Sequence, residues 1–170
     1  MGNKKRQQVR RQNRQRRKER KKTSPQQNIE KNITTAMKER SCNECQACCT
    51  VMAVEQISKP LGERCPHQCD SGCAIYDSRP EPCQEFNCCW RYGLGNADER
   101  PDKSGIVFDV TRQGSSLVAR EAWPGAFEQS QAFLDRLTAN GHLIILVRGD
   151  RRTAIGPPEL VALVQKAING

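Results

Sequence analysis

All ten cysteines of this 170-residue chain fall between Cys42 and Cys89, opening as Cys42-x2-Cys45-x2-Cys48-Cys49 and closing as Cys83-x4-Cys88-Cys89. Thiols gathered this densely are either joined as disulfides or deprotonated around metal. Residues 1–22 hold no apolar run beyond Met1 and Val9, so no export signal is expected, and no stretch elsewhere approaches membrane-spanning length. The expectation is a reducing cytoplasm without membrane insertion, where metal ligation is favoured over disulfides.

Thiolate is a soft ligand, suited to zinc, iron or an iron-sulfur cluster, and two cysteines spaced x2 bend one loop around one ion. For zinc, Cys42-x2-Cys45 followed by Cys65-x3-Cys69 approaches the two knuckles of a zinc ribbon. For iron-sulfur, Cys42-x2-Cys45-x2-Cys48 matches the first three ligands of a bacterial ferredoxin run, with Cys65-Pro66 as a displaced Cys-Pro element. Spacing leaves these metals open. In extended backbone the side chains of adjacent pairs such as Cys48-Cys49 and Cys88-Cys89 point to opposite sides, so each pair either serves two sites or leaves one thiol free. A thiol left free packs as a small hydrophobe.

Charge and periodicity divide the rest. Residues 1–22 carry twelve Lys or Arg against one acid, Glu19, whereas the other 148 residues carry sixteen against eighteen, so the net charge of +9 belongs to a short arm. Without an apolar stripe that arm is expected to be disordered or transiently helical, and residues 1–40 are read as an extension ending in a short amphipathic helix within Thr23–Arg40. Residues 41–170 are read as one domain. Its segment 41–100 shows no sustained period and is punctuated by Pro60, Gly62, Pro66, Gly72, Pro80 and Pro82, so metal is expected to hold it together in place of a conventional core. In 101–170, strands are expected at Ile106–Val110, Ser116–Ala122, Leu143–Val147 and Thr153–Gly156, with helices over Ala126–Ala139 and from Pro157 onward. The order β-β-α-β-β-α makes the fold class α+β.

Several short stretches together resemble the YkgJ-type cysteine-cluster family: Cys42-Asn43-Glu44-Cys45-Gln46-Ala47-Cys48-Cys49, Lys59-Pro60, Cys65-Pro66-His67, Gly72-Cys73-Ala74-Ile75-Tyr76, Arg79-Pro80-Glu81-Pro82-Cys83 and Phe86-Asn87-Cys88-Cys89-Trp90. The resemblance spans Ser41 to Arg100 and continues into Arg100-Pro101-Asp102-Lys103-Ser104-Gly105. That family is described as a zinc- or iron-chelating domain. The resemblance implies a ligand set of Cys42, Cys45, Cys48, Cys49, Cys65, Cys73, Cys83 and Cys88, enough for two four-thiolate sites, with Cys69 and Cys89 at spacer positions. A similar cysteine arrangement in flagellin lysine methylases implies, as an alternative, an iron-sulfur enzyme or an accessory to redox or methyl transfer, although this chain is short for one.

The remaining chemistry is sparse. His67, between Cys65 and Cys69, is a candidate further ligand or a donor to a ligand, as are Cys69 and Cys89, and His142 is read as structural. No thiol is marked as an activated nucleophile over the others, which leaves open whether the chain is an enzyme. Gly93-Leu94-Gly95 lacks the rest of a phosphate loop, and no nucleotide cofactor is expected. In the arm, Arg10, Arg11, Arg14, Arg16, Arg17, Lys18, Arg20, Lys21 and Lys22 are candidate contacts to RNA or DNA phosphates, largely without sequence preference because no aromatic residue interleaves them. Zinc is the first expectation for the metal, with iron or an iron-sulfur cluster as alternatives.

Overall fold

The computed structural model describes residues 6–7, 11–12, 25–42, 44–111, 114 and 116–169. The chain divides into two units, residues 1–39 and 40–170. In the first, Pro25 opens helix α1, Pro25–Glu39, where its missing N–H leaves no intrahelical bond unmade. Among the described residues no helix is long and apolar enough to cross a membrane.

The second unit is α+β. Its cysteine segment is built of short pieces: helix α2, Ala47–Val51; a two-residue hairpin of β1, Gln68–Cys69, and β2, Gly72–Cys73; helix α3, Glu81–Glu85, entered from Pro80; and helix α4, Pro101–Ser104, stopped by Gly105 in the left-handed conformation. A four-stranded sheet follows, in the order β3 (Ile106–Val110), β4 (Leu117–Glu121), β5 (Ile144–Arg148) and β6 (Arg151–Ile155). β3 and β4 pair antiparallel, as do β5 and β6, each joined by a short turn. β4 and β5 pair parallel, which requires the long crossover supplied by α5, Ala126–Gln129, and α6, Gln131–Ala139. Helix α7, Pro158–Asn169, closes the chain against β6.

Helix α4 was not predicted, and from Ile106 onward the elements follow the order predicted from periodicity, with one difference. The single helix expected over Ala126–Ala139 is broken at Ser130, whose backbone leaves helical geometry and whose hydroxyl donates to the Ser104 carbonyl at 2.7 Å. That bond ties the crossover to the end of α4.

Alternation along the strands sends Ile106, Phe108, Leu117, Ala119 and Ile144 to one face, where Phe127, Phe133, Leu134 and Leu137 of α5 and α6 cover them. The Phe108 and Phe133 rings meet edge to face at 5.3 Å. Val107 points the other way, into a second cluster with Ala47, Val51, Cys88 and Trp90. The cysteine segment therefore does possess a small core. Composition hid it because its apolar residues come from separated stretches and become a core only against the sheet.

Gly105 sits at φ 70°, and an added Cβ would stand 2.5 Å from the Ala126 Cβ and 2.6 Å from the Trp123 ring. Gly114, at φ 67°, has nothing within 4 Å of that position. Gly114→Ala is expected to cost about 1 kcal/mol, the left-handed penalty alone, and Gly105→Ala roughly 2 kcal/mol more from overpacking. Urea midpoints of the two variants check this; equal midpoints contradict it.

Candidate metal centre

The segment entering the cysteines is clamped by Arg40. Its guanidinium donates to the carbonyls of Trp90 (2.8 Å), Leu94 (3.0 Å) and Gly95 (2.8 Å) and lies 5.0 Å from the Trp90 ring centroid. The Arg91 guanidinium returns a bond to the Arg40 carbonyl. The Cys88–Gly95 turn is in turn tied to the sheet by the Cys89 N–H, which donates to the Phe108 carbonyl at 2.8 Å. Cys45 N–H closes on the Cys42 carbonyl at 2.6 Å, and Cys65 N–H reaches the Cys49 carbonyl at 3.0 Å.

These constraints surround a cavity of about 560 Å³. Cys42, Cys45, Cys48, Cys49, Cys65, Cys73 and Cys83 line it, together with Lys59, Arg79 and Arg91. Charge interactions run outward from the Cys48–Cys49 pair. Cys48 feels Cys49 first and then Cys45 and Cys42, Cys45 feels Cys88, and Cys88 feels Cys42. Cys83 feels Cys49, Cys65 and Cys73. Cys48 and Cys49, consecutive in α2, meet through a thiol hydrogen bond.

Of the zinc-ribbon pairing that spacing offered, Cys42, Cys45 and Cys65 line the cavity and Cys69 does not. All three members of the ferredoxin-like run, Cys42, Cys45 and Cys48, line the cavity, as does Cys65, whereas Cys88 does not. Cys69 is turned away, its sulfur 3.4 Å from the Ser71 hydroxyl and 3.5 Å from the Gly72 carbonyl. Cys89 lies in the core beside the sheet, its thiol pushed up to about 12 by burial and then by Asp109. Neither Cys69, Cys89 nor His67 lines the cavity. His142 is exposed. Of the arm, Arg10, Arg14, Arg16, Arg17, Lys18, Arg20, Lys21 and Lys22 lie outside the described residues, and Arg11 is exposed.

Ionisation differs across the site. Burial pushes Cys45 up to about 11, and burial also raises Cys83 and Cys88. The Cys48 thiol donates to Cys49, so that bond, with burial, raises Cys48 and brings Cys49 down to about 7, with Lys59 and Arg79 assisting the descent. Asp102 is held below the usual carboxylate range by the Arg100 guanidinium, which grips it at 2.6 and 2.7 Å, with the Cys45 thiol contributing least.

Lys59 was not foreseen as part of the site. A turn closed by reciprocal backbone bonds between Val54 and Lys59, with Ser58 in the left-handed region at φ 50°, drives its side chain inward. It is only 4% exposed, and its ammonium donates to the carbonyls of Thr50, Met52 and Pro60. It enters no salt bridge among the described residues. Burial lowers its pKa, opposed first by the charges of Cys65, Cys49 and Cys83. The Arg79 guanidinium stacks 3.7 Å from the Tyr76 ring centroid, and its buried Nε has no hydrogen-bond partner. The available sequence signal was a lysine placed directly before Pro60 within a cysteine segment.

The thiols do not converge in this structure. Among the described residues no three His, Cys, Asp or Glu groups are gathered closely enough to hold a metal ion. Neutral thiols have little reason to converge, whereas a soft cation would draw them together.

In metal-free protein Cys49 is expected to be the first thiol alkylated by iodoacetamide, with a rate that rises as pH passes about 7, because the thiolate, present above that pH, is the nucleophile. Brief labelling followed by peptide mass spectrometry reads the order; earlier labelling of the exposed Cys42 at neutral pH contradicts it.

Compared with protein-family models, curated proteins and solved structures, the chain matches none of them. The likeness to the YkgJ-type family rests on the cysteine spacing and flanking residues alone.

Proposed function

We propose that this protein is a metal-binding protein whose clustered thiolates hold zinc in two four-thiolate centres. The observation that carries the reading is Lys59, a buried ammonium with no carboxylate in a salt bridge among the described residues, facing Cys65, Cys49 and Cys83. A buried cation is costly unless an anion compensates it. Neutral thiols do not supply that anion, and metal-bound thiolates do.

Cys49, Cys65, Cys73 and Cys83 would hold one ion, and Cys42, Cys45, Cys48 and Cys88 the other. Zinc bound by four thiolates has no open position for a substrate, so the chemistry it supplies is cross-linking of a loop-rich segment. The protein's own residues complete this: Arg40 fixes the entry to Cys42, Pro80 and Pro82 fix the approach to Cys83, and the β1–β2 hairpin presents Cys73. The small core around Val51 and Trp90 positions α2 before any ion arrives.

One observation favours a second reading. A cavity of about 560 Å³ among unconverged thiols leaves room for a bulkier group, as an iron-sulfur cluster requires. In that case redox or methyl-transfer chemistry replaces cross-linking as the role.

Full-length protein purified without air is expected to contain about two zinc ions and to show no visible absorbance. Cys45→Ser is expected to lose at least one ion and to melt at lower temperature. Iron with acid-labile sulfide selects the second reading, and protein without zinc or iron overturns both.

A further inference from the structure

We infer that the cavity binds a small organic acid: a carboxylate carried on an apolar body, with an N–H or O–H donor beside it. Every group involved lies outside the candidate thiol ligands, so this stands apart from the metal reading.

The cavity is one-sided in charge. Lys59, Arg79 and Arg91 line it, and among the described residues no Asp or Glu does. None of these three cations enters a salt bridge among the described residues. Lys59 already bonds to carbonyls, whereas the two arginines are each fixed at one point and open at another. Arg79 is stacked on the Tyr76 ring, Arg91 is held through its bond to the Arg40 carbonyl, and the Nε of each is buried with no hydrogen-bond partner. A buried donor left unmade is costly, and more so when it is charged. A carboxylate is the group that matches the planar fork of an arginine.

A third unmade bond restricts the ligand further. Gln46 also lines the cavity; its amide nitrogen donates to the Cys69 carbonyl at 3.0 Å, and its Oε1 is buried without a partner. Because the nitrogen is engaged, the open atom is an acceptor and calls for a donor on the ligand. A bare carboxylate has none. The ammonium of a free amino acid supplies one but faces three cations, so an acylated or hydroxylated acid suits the site and a zwitterion does not.

Much of the remaining wall is apolar. Met52, Val54, Ile57, Ile75 and Phe86 are among the lining residues, and a volume of about 560 Å³ is that of a site enclosing a small organic molecule. An inorganic anion would answer the arginines and leave this apolar surface in water, whereas an apolar body on the acid buries it.

The test is isothermal titration calorimetry of full-length, as-purified protein with N-acetyl-leucine, N-acetyl-methionine and N-acetyl-phenylalanine, with metal content measured on the same sample. At least one acid is expected to bind saturably, at one site per chain. Its carboxamide, which lacks the charge, is expected to bind about tenfold to a hundredfold more weakly, the worth of a hydrogen bond to a charged group. The corresponding acid without its acetamido group should lose severalfold, and inorganic phosphate should bind more weakly than the parent acid. Arg79→Lys keeps the charge and removes the fork; it is expected to weaken the acid by about tenfold and to leave the carboxamide unchanged. Arg91→Lys should act in the same direction. Because Arg91 also holds the Arg40 carbonyl, its variant risks loosening the fold, so Arg79→Lys with unchanged circular dichroism carries the decision. Absence of saturable binding by all three acids overturns the inference, as do equal affinities for acid and carboxamide, or parental affinity in Arg79→Lys. Phosphate bound as tightly as the acid also overturns it, since the site then takes bare anions. Acid binding by protein without zinc or iron supports this inference while removing the metal reading, and metal without acid binding does the reverse.

Discussion

A four-stranded sheet has two faces, and helices α5 and α6 cover one. The other face presents Val107, fully buried in this fold, and it is the cysteine segment that covers it through Val51, Trp90 and the stem of Cys88. Burying apolar surface of this kind contributes about 25 cal/mol per Å², so the sheet needs the cysteine segment as the segment needs the sheet. The thiols inherit their placement from that contact. Cys88 and Cys89 straddle the boundary: the first joins the small core with Trp90, the second sinks into the core beside Phe108. Here the alternation of neighbouring side chains sends one thiol into each of the two cores, while Cys48 and Cys49, on a helix, both line the cavity.

Packing explains where the thiols stand, and charge explains why their environment is unusual. Lys59 and Arg79 approach the cavity from different elements, a tight turn and the entry to α3, and both rely on something other than a carboxylate. Carbonyls receive the Lys59 ammonium, and the Tyr76 ring receives the Arg79 guanidinium. Such contacts orient a cation but leave its charge uncancelled, and the cavity carries that excess toward the sulfurs. Asp102, by contrast, pins Arg100 through two bonds, so that cation's charge is matched by a carboxylate.

The β-β-α-β-β-α order was legible because Ile106–Val110 alternates, Leu143–Val147 is continuously apolar and Asn140-Gly141 stops a helix, all of them local signals. The break at Ser130 was not, because its partner Ser104 lies 26 residues away. The density of thiols was plain, and the resemblance named eight of them, but that seven share the cavity while Cys88 is seated in the small core depends on the sheet contact. Spacing within loops carries no such information. Lys59 was hidden for another reason: lysine is ordinarily a surface residue, and only the closed Val54–Lys59 turn inverts that expectation.

The single peptide bond between Cys48 and Cys49 carries a further consequence. Because α2 spans only Ala47–Val51, it has no second turn to absorb a displacement. Any rotation that tightens Cys48 on its partners swings Cys49 relative to its own. Cys48 and Cys49 therefore share one mechanical degree of freedom. Substitutions of the two should fail to add when combined.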